Sequence, residues 1–144
     1  MRRLITAVAI LSVTALAGCA SVTASEGDKQ ACTVWSEAQQ AMVQTVAIIY
    51  EMAKDPASLT EDVVTEFNTK RNQLLGAYDQ AKALATSESL KSALEVGLDA
   101  DSIVYYDLAG ATDARIQDSL TAVGNLVVAC TAAGIDVSDV LGTK

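Results

Sequence analysis

The sequence predicts an all-α fold, an antiparallel up-down four-helix bundle. Three observations predict it. Apolar and small residues recur at steps of three, four and seven in four successive stretches, the mark of helices with one buried face. Each stretch ends at a short polar, proline or glycine break, and helices joined by short loops favour antiparallel neighbours. Nowhere do apolar and polar residues alternate as in a half-buried strand.

The first helix is read from about residue 29, with Asp28 as its cap. Its inner face runs through Ala31, Trp35, Ala38, Met42, Ile49 and Met52, and Val34, Ala41 and Ile48 form a second row. Asp55-Pro56 stops it, because the residue before proline is pushed out of the helical region. The second helix opens at Ser58-Leu59-Thr60-Glu61, a capping-box spacing, and turns Val63, Val64, Phe67, Leu74, Tyr78, Ala81 and Leu84 inward. Thr86-Ser87-Glu88-Ser89 marks the next break. The third helix carries Leu90, Leu94, Leu98, Val104, Tyr105 and Leu108 and ends at Gly110. The fourth starts at Thr112-Asp113 and sets Ile116, Leu120, Val123, Val127 and Cys130 on one stripe. Gly134 is its left-handed C-cap, with Ile135 placed for the accompanying apolar contact. The bundle therefore spans 29–134, and 135–144 is a short tail.

Ahead of the bundle, Arg2-Arg3 precede an apolar run from Leu4 to Leu16, which is too short for a permanent span. Leu16-Ala17-Gly18-Cys19 follows directly. This resembles the lipobox of bacterial lipoproteins. The resemblance implies a signal peptide over 1–18, cleavage before Cys19 and a diacylglycerol on its thiol. The protein would then be lipid-anchored at the cell membrane on the extracytoplasmic face, with 19–28 as a flexible tether. Its residues past the cysteine, Ala20 through Asp28, reach about 30 Å at full extension. With Cys19 lipidated, Cys32 and Cys130 remain as an even pair on the oxidising side of the membrane, which reads as a disulfide. That bridge closes a loop on the order of 100 residues, worth up to roughly 4–5 kcal/mol in the chain-entropy account. It also requires the start of helix one and the end of helix four to share a pole, as four antiparallel helices do.

The chain carries 18 acidic against 10 basic residues, and Arg2 and Arg3 belong to the leader. So acidic a body repels phosphate backbones, and nucleic acid is not an expected partner. Histidine is absent, which removes the commonest general base and the commonest metal ligand. Neither a catalytic site nor a metal or other cofactor is expected. Glu95, Asp99 and Asp101 form the tightest acidic cluster, without calcium-loop spacing, and read as a solvated face. Asp101 is the odd member, placed either at the edge of the apolar stripe or bonded to a tyrosine hydroxyl across the bundle. Glu61, Asp62 and Glu66 favour the N-terminal end of their helix dipole. Trp35 reads as a core anchor. Gln44 and Asn125 are able to form a buried polar contact but do not require one, and Gly97 and Gly124 on neighbouring helices are able to permit close helix approach.

The layout is similar to small helical lipoproteins of high-GC Gram-positive bacteria and their phages. The expected function is protein–protein interaction or envelope scaffolding, not enzymatic catalysis. The alternatives are a prophage-encoded superinfection-exclusion lipoprotein and a carrier of a small apolar ligand. The expected partners are the membrane, through the lipid on Cys19, and an envelope or phage protein. Tyr50 and Tyr106 are the expected contact residues. They lie near Glu51 and Asp107 at the pole away from the tether.

Overall fold

The computed structural model describes residues 24–52, 60–106, 112–137 and 140, with backbone alone at 50–52. Four helices follow in order: α1 (Glu26–Met52), α2 (Glu61–Leu84), α3 (Glu88–Tyr106) and α4 (Asp113–Ala132). No strand occurs among the described residues. α1 packs along α2 and α3 along α4, so the antiparallel bundle is two helical hairpins laid side by side. The hairpins meet more lightly through α2 and α3, and more lightly still through α1 and α4. The Cys32–Cys130 disulfide, with Cα atoms 5.5 Å apart, ties the start of α1 to the end of α4.

The helix ends explain where each element starts and stops. Asp28 N–H donates to Ser25 Oγ at 3.0 Å, so Ser25, and not Asp28, caps α1. α1 begins at Glu26, which makes 26–28 of the expected tether helical. The α2 cap is Thr60, whose Oγ1 accepts from Val63 N–H at 3.5 Å. That is two residues past the expected capping box; its Ser58 lies outside the described residues. Thr112 caps α4 through Arg115 N–H at 3.4 Å. At the other end Gly134 has φ 83°, which suits a residue without Cβ. Ile135 N–H reaches Cys130 O at 3.1 Å and Gly134 N–H reaches Thr131 O at 2.9 Å, the paired bonds of a Schellman motif.

Asp28 has a different task. Its Oδ1 accepts from Thr86 N–H at 2.7 Å, Ser87 N–H at 3.1 Å and Thr86 Oγ1 at 3.2 Å. A buried carboxylate on α1 thus caps the start of α3 from across the bundle. Burial works to raise its pKa, but the Ser87 and Thr86 amides and hydroxyls together hold it below the usual carboxylate range. Gly27 permits this approach: a Cβ there would stand 2.5 Å from Leu84 O.

The core gathers Trp35, Met42, Leu74, Tyr78, Leu94, Leu126 and the disulfide. Two expected faces are turned. On α1 the second buried row is Cys32, Gln39 and Thr45, because the disulfide pins Cys32 inward. Val34 and Ala41 are only half-buried, and Ile48 is 57% exposed. On α4 the inward residues are Ser119, Ala122, Val123, Leu126 and Cys130, while Ile116 and Leu120 are 40% and 54% exposed. That side of α4 lies towards the gap left by α1. Val64 of α2 is also exposed. The segment read as a loose tail contributes too: Val137 and Val140 are buried, and Val140 N–H closes a turn onto Val137 O at 3.1 Å.

Candidate functional site

Away from the disulfide, α1 and α4 leave a groove between the hairpins. Val43 and Val46 of α1, Val104 and Tyr105 of α3, and Ile116, Ser119 and Leu120 of α4 line a cavity of about 270 Å³. Its walls are aliphatic. The hydroxyl-bearing residues are Ser119 and Tyr105.

Against this groove sits a buried polar cluster. Asp101 is wholly buried. Its Oδ2 accepts from the Tyr78 hydroxyl at 2.8 Å, and its Oδ1 from Ser119 Oγ at 2.5 Å. One carboxyl therefore joins α2, α3 and α4. Among the described residues no cation pairs with it. Burial pushes its pKa above the usual carboxylate range, while the Ser119 and Tyr78 hydroxyls pull the other way. Burial and then the Asp101 charge push the Tyr78 and Tyr105 hydroxyls well above the ordinary tyrosine range, so both stay protonated. Gln39, 2% exposed, lies beside Tyr105, and its Oε1 has no hydrogen-bond partner. Trp35 Nε1 is likewise unpartnered, with its ring centroid 6.4 Å from that of Tyr78.

The expected site residues fare differently. Cys19, Asp107 and the side chain of Tyr50 lie outside the described residues. Tyr106 is 64% exposed, and the Arg71 guanidinium stacks over its ring at 4.5 Å. The acidic trio does not converge. Glu95 is exposed and pairs with Lys82 at 3.2 Å, Asp99 is exposed, and Asp101 points inward. Among the described residues no group of three metal-ligating side chains could hold an ion, and no helix is long and apolar enough to cross a membrane. Gln44 and Asn125 are both exposed and make no buried contact; Gln39 is the buried amide. Gly97 does allow close approach, since a Cβ there would stand 2.8 Å from Leu126 and Tyr78 atoms. Gly124 faces open space. Sequence reading missed Ser119 and Gln39. The available signal was spacing: Ser119 stands seven residues before Leu126, and Gln39 lies between Trp35 and Met42.

No protein-family model, curated protein or solved structure matches the chain.

Proposed function

We propose that the chain is an exported lipoprotein, held through a diacylglycerol on Cys19 at the extracytoplasmic face of a bacterial membrane, whose bundle works by contacting another envelope protein. The lipobox at Leu16–Cys19 supports the anchor. The stretch from Cys19 to Ala24 spans at most about 18 Å, which keeps the disulfide pole near the bilayer. α3 starts at that pole and runs 19 residues, about 28 Å at the helical rise, so Tyr106 stands well clear of the lipid.

The observation that carries the contact surface is Tyr106, 64% exposed with Arg71 stacked 4.5 Å above its ring. Tyrosine and arginine are the residue types in which interface energy concentrates. A pair already stacked loses little side-chain freedom on binding. Ile103, one turn earlier on α3, and Val64, two turns before Arg71 on α2, are exposed and extend the apolar area.

The test is a photo-crosslinking residue at Ile103 in intact cells. Replacing Tyr106 and Arg71 with serine lowers crosslinked product while far-ultraviolet circular dichroism stays helical. Undiminished product from a folded double variant refutes the surface.

A further inference from the structure

We propose that the groove between α1 and α4 binds a small amphiphile consisting of an apolar tail and a protonated amine. The site is on the opposite side of the hairpins from the Tyr106–Arg71 pair and stands whether or not the chain is lipid-anchored.

Size limits the tail. A cavity of about 270 Å³ exceeds the ~150 Å³ that takes up benzene and falls just short of the ~300 Å³ where drug-sized pockets begin. A chain of about six to eight carbons fits between those bounds. Val43, Val46, Val104, Ile116 and Leu120 supply the aliphatic walls it needs.

Polarity selects the head group. Ser119 spends its only hydroxyl proton on Asp101, so towards the groove its oxygen can only accept. Behind Ser119 lies the Asp101 carboxyl, fully buried and, among the described residues, without a cation to balance it. Such a group is costly unless paired. A primary ammonium brings three donors and one positive charge. An alcohol brings one donor and no charge, and a carboxylate adds repulsion. The net charge of −8 further concentrates cations near the surface.

The test uses the full-length chain with its disulfide oxidised and isotope-labelled methyl groups. Hexylamine, hexanol and hexanoate are titrated in turn while the methyl signals of Val43, Val46, Val104, Ile116 and Leu120 are followed. Hexylamine shifts these methyls saturably, hexanol binds about tenfold or more weakly, and hexanoate leaves them unmoved. Asp101→Asn erases the preference for amine over alcohol. Leu120→Arg changes an exposed side chain, so it keeps the fold, and it abolishes amine binding by adding bulk and positive charge at the groove. If Asp101→Asn fails to fold, Leu120→Arg decides alone. Equal affinity for hexanol and hexylamine overturns the proposal. So does amine binding unchanged in a folded Asp101→Asn or Leu120→Arg protein.

Discussion

Asp28→Ala removes the acceptor that holds the start of α3 against α1. Three donors converge on one carboxylate oxygen, at 2.7, 3.1 and 3.2 Å. Loss of a capping side chain costs about 0.5–2 kcal/mol, and a buried donor left unpaired costs about 1–3 kcal/mol more. Thr86 is exposed and can recruit water, whereas Ser87 is half-buried, so one orphaned amide, not two, enters the sum. The expected loss is about 1.5–5 kcal/mol for alanine and about 1 kcal/mol for asparagine, which keeps the oxygen but not the charge. The pH dependence follows from the depressed pKa. A carboxylate titrating lower in the folded state contributes stability above its unfolded pKa near 3.9, and that contribution is lost as pH falls through the folded value. The gap between the natural chain and Asp28→Asn is therefore constant near neutrality and closes in acid. Urea denaturation followed by circular dichroism, on the oxidised full-length chain at a series of pH values, measures it. A stability of Asp28→Ala within about 0.5 kcal/mol of the natural chain at neutral pH refutes the reasoning, as does a gap that persists in acid.

Three further predictions use the same measurement. Gly97→Ala drives a Cβ to 2.8 Å from Leu126 and Tyr78 atoms and costs about 1–3 kcal/mol, whereas Gly124→Ala meets nothing within 4 Å and stabilises by about 0.5–1 kcal/mol. Asp101, whose pKa is raised by burial, makes stability fall as pH climbs from the unfolded carboxylate value through the folded one, and Asp101→Asn flattens that decline. Replacing Cys32 and Cys130 with alanine opens a cross-link spanning 98 positions and lowers stability by about 2–5 kcal/mol.

The helical period and the breaks at Pro56, Thr86–Ser89 and Gly110–Thr112 made the four elements legible, and the cysteine pair made the topology legible. Rotation of each helix was less so. The apolar count along α4 favours the Ile116–Leu120 stripe, yet that stripe flanks the groove because α1 diverges from α4, a tertiary fact no single helix records. Asp28 shows the same limit: locally it reads as a cap for α1, but Ser25 fills that role, and the carboxylate caps α3, 58 positions away from its Thr86 partner. Asp101 was partly legible, since an acid on an apolar stripe needs a donor and the tyrosines were the available ones. Ser119 and Gln39 were not, because a small polar residue among apolar neighbours looks the same whether it is buried or at a stripe edge. Tyr106 was legible because it follows the stripe residue Tyr105 and points about 100° away, but nothing local announces Arg71 as its stacking partner.

The most direct test of the account is metabolic labelling of the full-length chain with a fatty-acid analogue, comparing the natural sequence with Cys19→Ala. The natural chain takes up label and fractionates with the membrane, because two acyl chains hold stably where one is marginal. Cys19→Ala takes up none and accumulates as unprocessed precursor. Label retained on Cys19→Ala, or absent from the natural chain, contradicts the anchor and with it the placement of the bundle at the membrane surface.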